Sequence, residues 1–516
     1  MQIYFRNEQL NRLDSIFDSV KKGSNFVLLS GKRRVGKTTL AREHLRSRRG
    51  AYISVSIKAS ALQLGDISDY LKTFDFTGDF IPGFRSWEEF FLFIFHIAKD
   101  KPVNLVVDEF HNFEKTEPDF LSSLKGLWDL HASKSMLNLI VISNNEHFVN
   151  RTFFQPGGQL YGINNHTIRI KPFSFSEVLK IAKLHSSTLS FRNIKTLYLI
   201  FGGLPKFYYL IYQSELWKSS VEEILRELIF RKYAPLSYEL NELIATELGR
   251  ENKVYLSILQ SIALGKNVVS EIAESVSIPV TNTGKYLGEL EKQRGLIKRK
   301  VPLGTADPSK SKNGKYFFRN YFDNFWFRFI QPDIISYELG EFDRMMKRVM
   351  EELDAYIRER YPLLLKEIFR ESRSCREILK ITGSPDVIIG ELWTRKTSFD
   401  LALIDDRLHT LKLCRIYTLD NRATVPEIKI LKQDQKEIEK QYPKYKPELV
   451  LFSENQPPAG VLELLPPGIK IFRIDHLEEV IKSGNAAQVL RRQGTKRHGD
   501  KPVRPKYLRK KQKVLN

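Results

Sequence analysis

Three groups of residues in this chain have types and spacings suited to phosphate chemistry. Gly31, Gly36, Lys37 and Thr38 fit the pattern G-x-x-x-x-G-K-[ST], with Lys32, Arg33, Arg34 and Val35 between the glycines. Glycines at these places let backbone N–H groups turn inward and form an anion nest, to which the following helix adds its positive end. The segment Gly31, Arg34, Val35, Gly36, Lys37, Thr38 and Thr39 is therefore expected to wrap the phosphates of a nucleotide. Lys37 would reach the β- and γ-phosphates, and the Thr38 hydroxyl would ligate Mg2+. The second group is Asp108-Glu109, at the end of the apolar run Val103-Asn-Leu-Val-Val. Asp108 is suited to hold Mg2+, directly or through water, and Glu109 to act as general base on the attacking water. The third is Ser143-Asn144, ending the apolar run Leu137–Ile142, where a polar side chain can sense a γ-phosphate and orient that water.

Positioning these groups requires particular elements. Phe26–Leu29 reads as a buried strand before the glycine loop, and a helix starts at Lys37. Ala51–Ser56, Val103–Asp108 and Leu137–Ser143 read as further strands alternating with helices. This βαβ alternation predicts a doubly wound parallel sheet, with the ligand at the carboxyl ends of its strands.

The chain has 516 residues, enough for about three domains. Apolar residues make up 42% and charged residues 28%, an ordinary globular balance. Two cysteines, Cys375 and Cys414, cannot build a disulfide framework, which favours a reducing compartment. The N-terminus meets Arg6 and Glu8 too soon for a signal peptide, and the apolar run Phe90–Ala98 is too short to span a bilayer. A cytoplasmic protein without membrane association is expected. The net charge of +21 calls for an anionic partner, most simply nucleic acid, with DNA favoured. Part of that charge lies in residues 487–516, which read as a basic, disordered tail.

Residues 1–172 thus form the expected P-loop core and 173–248 a helical lid. Residues 249–332 read as helix, helix, turn, helix, strand, polar loop and strand, the order of a winged helix-turn-helix. Thr281 is a plausible cap for its third helix. That helix would present Thr281, Asn282, Thr283 and Lys285 to DNA, with Lys298, Arg299, Lys300, Lys310, Lys312 and Lys315 on the wing. The same module can instead close over the nucleotide or pack between domains. The aromatic block Arg319–Ile330 that follows reads as core.

The starting segment Phe5-Arg-Asn-Glu, the loop Gly31–Thr39 and Asp108-Glu-Phe-His together resemble the archaeal-type ATPases of the STAND/AAA+-like branch of P-loop NTPases. Gln159-Leu-Tyr-Gly, Ile168–Phe173 and Phe201-Gly-Gly-Leu-Pro205 extend the resemblance over roughly the first half of the chain. It implies ATP and Mg2+ as ligands, and nucleotide contacts from Gly203 and Pro205 in the lid. The family usually carries an arginine directly after the Tyr-Gly pair, where this chain has Ile163 and Asn164. Slow hydrolysis is expected, unless Arg151, Arg169 or a partner supplies a cation.

Residues 333–486 resemble the PD-(D/E)xK nuclease-type domain that closes many members of this family. Glu367 then matches the helical glutamate and Asp400 the metal-binding aspartate, while Leu413-Cys414-Arg415 stands where Glu-x-Lys is needed. Pro385-Asp386 with Glu391 mimics the motif, but Trp393 holds the lysine's place. A site lacking one carboxylate and its lysine is expected to be degenerate. The function that follows is a Mg2+-dependent ATP-binding switch, slowly hydrolysing ATP to ADP and phosphate and coupled to nucleic-acid binding. Self-association or a protein partner is compatible with it, and no small-molecule substrate other than nucleotide is implied. A DNA-binding regulator with ATP as structural ligand and an ATP-dependent nuclease are the alternatives.

Overall fold

The structure is a computed structural model, and it describes residues 6–46, 48–73, 81–186, 189–237, 248, 253–381, 387–394, 396–417, 425–453 and 469–483. The chain divides into two compact units, one of residues 1–300 and 314–359, the other of residues 301–313 and 360–516.

The first unit is built on a five-stranded, all-parallel sheet. Its strands are β1 (Asn25–Ser30), β2 (Gly50–Ser54), β3 (Val103–Asp108), β4 (Leu137–Ser143) and β5 (His166–Arg169). They lie in the order β2-β3-β4-β1-β5. Every residue of β1, β3 and β4 is buried, the pattern of parallel strands covered on both faces. Two polar residues inside these strands, Asn104 and Asn138, are joined in a network. The Asn104 side-chain oxygen accepts from Asn138 at 2.7 Å and lies 3.1 Å from His44 Nε2, whose Nδ1 pairs with Asp14 at 2.8 Å. His44 belongs to the helix Lys37–Leu45, so this network pins the helix after the glycine loop to β3 and β4.

The apolar run read at Phe90–Ala98 is the buried helix Trp87–Ile97. Its rings form one cluster with Phe110, Phe113, Phe120 and Trp128. Trp87 meets Phe113 edge-on at 4.7 Å. Beyond the sheet come the helices Phe175–His185, Phe191–Phe201, Pro205–Gln213 and Val221–Leu228. The first is closed by a reciprocal capping box between Ser174 and Glu177.

Further on, helices Lys253–Ala263, Val269–Val276 and Val280–Lys292 precede an antiparallel ribbon of β6 (Ile297–Lys300) and β7 (Lys315–Phe318). Pro279, and not Thr281, occupies the N-cap position of the third helix. Arg319–Ile330 continues into the helix Tyr321–Phe329, whose Phe322, Phe325, Trp326, Phe327 and Phe329 are buried.

The loop joining β6 to β7, residues 301–313, is part of the second unit. There Leu303 N–H donates to the Glu391 carbonyl at 2.9 Å, and Leu303 C=O accepts from the Tyr442 hydroxyl at 2.6 Å. Trp393 Nε1 donates to Asn313 C=O at 3.0 Å. The loop is therefore anchored at both ends, a packing role that a polar, glycine-containing loop did not announce, while Lys310 and Lys312, expected to line the wing, are exposed. The helices Phe342–Arg358 and Tyr361–Glu371 follow, and the units divide between them at Glu359 and Arg360.

The second unit carries a mixed sheet in the order β12-β11-β10-β9-β8. Its strands are β8 (Ile388–Trp393), β9 (Ser398–Asp405), β10 (Thr410–Tyr417), β11 (Lys446–Ser453) and β12 (Lys470–Arg473). β8, β9 and β10 run antiparallel, and β10, β11 and β12 parallel. Residues 382–386, which include Pro385-Asp386, and residues 484–516, which include the basic tail, lie outside the described residues.

Candidate functional site

The loop after β1 owes its shape to backbone that ordinary residues avoid. Gly31 has φ +147° and Gly36 φ +89°, and Arg34 between them sits in the left-handed region at φ 67°. A Cβ on Gly31 would stand 2.2 Å from the Ile170 carbonyl oxygen. Within this loop Lys37 is buried, its ammonium donating to the carbonyls of Gly31 at 2.7 Å and Lys32 at 2.8 Å. Burial pulls its pKa down to about 8, against the opposing pull of Asp108 and Glu109.

Asp108 is buried and fully engaged. Its Oδ2 accepts from the Thr38 hydroxyl at 2.6 Å and from the Tyr52 hydroxyl at 2.7 Å, while Oδ1 accepts from the Glu109 backbone N–H at 2.7 Å. Thr38 and Asp108 thus supply two hard oxygen donors at one point, a set suited to Mg2+ when phosphate oxygens and water complete its shell. Among the described residues no cluster of three His, Cys, Asp or Glu side chains could hold a metal without such help. Tyr52, at the middle of β2, escapes any motif because it comes from a different strand; Arg42 lies over its ring at 4.7 Å.

Glu109 follows in the left-handed conformation, φ 52° and ψ 34°. Such strain costs about 1–3 kcal/mol in a non-glycine residue. It is offset by the next turn, where Phe110 and Phe113 are both fully buried and contribute roughly 1.5–3 kcal/mol each. The Glu109 carboxylate is half-buried and accepts from Asn144 Nδ2 at 3.2 and 3.3 Å. His111 Nε2 lies 3.4 Å from it, and burial pushes the His111 pKa down to about 4, so the ring is neutral near pH 7. Of the two polar residues ending β4, Asn144 faces this site. Ser143 is buried and accepts from the Asn145 N–H.

On the other side of the loop the lid signature meets the first described residues. Arg6 donates to the Lys171 carbonyl at 2.6 Å and the Val35 carbonyl at 3.4 Å, and lies over the Phe173 ring at 4.7 Å. Phe173 N–H donates to the Gly203 carbonyl at 2.6 Å. A Cβ on Gly203 would fall 1.7 Å from the Phe173 carbonyl oxygen, with no room to relax. Pro205 opens the following helix at a position needing no N–H. Gly203→Ala is expected to destabilise this unit by about 1–3 kcal/mol, as overpacking does. Thermal unfolding of the variant checks this, and an unchanged melting temperature would refute the contact.

Arg151 is held by Glu114 at 2.5 Å, and Arg169 by Glu146 at 3.5 Å. A cavity of about 900 Å3 opens beside Lys32, Arg33, Glu109, Asn144 and Arg151, bounded on its far side by Arg294, Arg319 and Asn320. Arg319 lies about 280 residues beyond the glycine loop, and nothing in its neighbourhood distinguishes it in sequence from a core-flanking charge.

The helix Val280–Lys292 exposes Thr281, Asn282 and Lys285, whereas Thr283 is buried and donates to the Pro279 carbonyl at 3.1 Å. Lys298, Arg299 and Lys300 on β6 are half-buried, and the Lys300 ammonium sits 4.2 Å from the Phe317 ring centroid.

In the second unit Asp400 on β9 accepts from the Ile416 N–H at 2.8 Å, and burial raises its pKa. Leu413 is fully buried. The Arg415 guanidinium donates to the Ser398 carbonyl and to Asp434 at 3.2 Å, and covers the Phe399 ring. Glu367 is half-buried on the helix Tyr361–Glu371, where the adjacent Lys366 pairs with Glu391 at 3.5 Å.

A glycine loop between a buried strand and a helix, whose threonine donates to the carboxylate that ends β3, is the arrangement of a nucleotide-binding P-loop. Residues 326–439 match the family model DUF234, described as "Archaea bacterial proteins of unknown function". An uncharacterized protein of Methanocaldococcus jannaschii, MJECL04, is 27% identical over 403 residues, covering 78% of this chain and 84% of that protein. Among solved structures, the Walker-type ATPase PABY2304 of Pyrococcus abyssi is similar over 63% of this chain and 96% of its own, with TM-score 0.46 and 17% identity. The ORC2 protein of Aeropyrum pernix is similar over 66% of this chain and 96% of its own, with TM-score 0.41 and 12% identity. Among the described residues no helix is long and apolar enough to cross a membrane.

Proposed function

We propose that the protein is a Mg2+-dependent ATPase that hydrolyses ATP slowly and couples its nucleotide state to DNA binding. The observation that carries this reading is the pair of contacts on one side of the glycine loop: Thr38 on Asp108 at 2.6 Å and Asn144 on Glu109 at 3.2 Å. The loop amides and Lys37 bind the triphosphate, and the Gly203–Pro205 turn closes the opposite side of the loop. Thr38 and Asp108 would hold Mg2+, which when bound would supply charge neutralisation to the phosphates. Glu109 takes the proton from the attacking water, and Asn144 fixes the orientation of its carboxylate. Neutral His111 leaves that carboxylate its basicity.

The three helices and antiparallel ribbon of residues 253–318 have the order of a winged helix. The exposed Thr281, Asn282 and Lys285 support a helix that enters a major groove. Phosphate contacts fall to this helix and to the basic residues of β6, and Lys310 and Lys312 on the ribbon loop are exposed as well. The second unit serves as a scaffold or binding platform: Arg415, tied to Asp434 and unable to give up a proton, stands where a nuclease needs lysine.

Phosphate release measured with and without duplex DNA tests the coupling. DNA is expected to change the rate, and duplex affinity to fall steeply between 50 and 200 mM salt, roughly as the number of phosphates contacted. A rate indifferent to DNA, together with no duplex binding at low salt, would remove the nucleic-acid half of the proposal. DNA binding with no turnover would favour a regulator in which ATP is a structural ligand. Plasmid cutting in Mg2+ that disappears in Asp400→Ala would instead make the second unit an active nuclease.

A further inference from the structure

Resting on the ATPase reading above, we infer that Arg319 is the cation that recognises the γ-phosphate, delivered within the same chain, and that Glu146 competes for it when no γ-phosphate is present. Four observations converge on this residue. Arg319 lines the same cavity as Lys32 and Arg33 of the glycine loop, Glu109 and Asn144. Its backbone carbonyl accepts from Lys32 Nζ at 3.3 Å, so the residue is tied to the phosphate loop itself. Its Nη1 donates to Glu146 Oε2 at 3.1 Å, two residues beyond Asn144, which holds Glu109. Finally, its Nε donates to the Ile297 carbonyl at 2.8 Å, anchoring the fork to the first strand of the β6–β7 ribbon.

The electrostatics of the cluster make a handover natural. Lys32 and Arg319 are like charges in one half-buried site, and Lys32 has its pKa lowered by burial and then by Arg319. Glu146, gripped by Arg319 and by Arg169, supplies the carboxylate that balances them. A γ-phosphate brings more charge and more acceptor oxygens than a carboxylate, and a planar guanidinium recognises either through the same fork. The incoming phosphate therefore draws Nη1 from Glu146, while Nη2 lies 3.5 Å from the Glu291 carbonyl. Because Nε stays on the Ile297 carbonyl, the shift acts on the ribbon and on the helix Val280–Lys292 before it. ATP and ADP then differ in how this module is held, which a loop and Lys37 alone do not provide.

The test is equilibrium binding of ATP and ADP, with single-turnover hydrolysis, to the full chain and to three variants. Arg319→Ala should lose roughly 10- to 100-fold in ATP affinity, the contribution of a charge-assisted contact, while ADP affinity stays within about twofold. Arg319→Lys should recover part of the ATP preference, since it keeps the charge but loses the fork. Glu146→Gln, which removes the competitor, should raise ATP affinity and leave ADP affinity alone. Unchanged ATP preference in Arg319→Ala overturns the inference, and so does an equal loss of ATP and ADP affinity, which marks a merely structural role. ADP binding reports that each variant is folded. A wild-type chain that binds neither nucleotide overturns the ATPase reading itself, whereas one that binds both and shows no dependence on Arg319 overturns only this inference.

Discussion

Lys37→Ala is expected to leave a folded protein with no measurable ATP binding at millimolar nucleotide. The ammonium rests on the carbonyls of Gly31 and Lys32, inside the loop that has to receive the phosphates. Truncation removes the cation and leaves those carbonyls facing a polyanion. The wild-type protein carries a pH signature of the same residue. With the free-site pKa drawn down to about 8 by burial, the ammonium loses its proton as pH rises through that value. Bound phosphates favour the charged form, so the complex keeps the proton to higher pH. Binding therefore takes up a proton above pH 8, and ATP affinity falls by up to about tenfold per pH unit there, while staying level below it. Isothermal titration calorimetry between pH 6.5 and 9.5 checks both parts. Wild-type affinity in a folded Lys37→Ala protein would end the assignment of this loop to nucleotide.

Glu109→Gln should have the opposite division of effects. Glutamine keeps the length and the hydrogen-bonding oxygen that Asn144 addresses, but it cannot accept the proton of an attacking water. Phosphate release in a single turnover is expected to fall by about 10²–10⁴, the usual worth of a positioned general base. ATP affinity should stay within a few-fold, because glutamine is nearly isosteric with the carboxylate it replaces. Equal losses in binding and turnover would show that the left-handed Glu109 shapes the site rather than acting on water. The comparison is informative because strain at this residue is held by Phe110 and Phe113, which the substitution does not touch.

The two residues at the centre of these experiments were readable from the sequence because each sits in a short, contiguous signal. A glycine spacing and an apolar run ending in two acids are local patterns, and β1, β3 and β4 are apolar along their whole length because both their faces are covered. Tyr52, Glu146 and Arg319 were not readable. Each reaches the site only through tertiary placement, from β2, from the turn after β4 and from a segment nearly three hundred residues away. The boundary signals behaved similarly. The helix starts at Lys37 and Trp87 follow local rules of glycine and serine placement. The fate of residues 301–313 does not, since their glycine, serine and lysine content describes an exposed loop equally well. Asp400 and Arg415 illustrate a third case. Their strands were legible, but the contacts of Arg415 with Asp434 and Phe399 involve an aspartate on a separate helix and a ring on the neighbouring strand.

The excursion of residues 301–313 into the second unit bears on how this protein can be taken apart. The chain passes from one compact unit to the other near residues 300, 313 and 359. A stop codon placed after the third passage removes β8 and Tyr442 but keeps Leu303, stranding an apolar hook whose hydrogen-bond partners have gone. A fragment ending there is primed for aggregation, and a fragment beginning there lacks a segment of its own sheet edge. The protein is therefore a poor subject for dissection at a single cut. Replacing residues 301–313 by a short turn between β6 and β7 is the edit that would make the first unit a covalently simple piece.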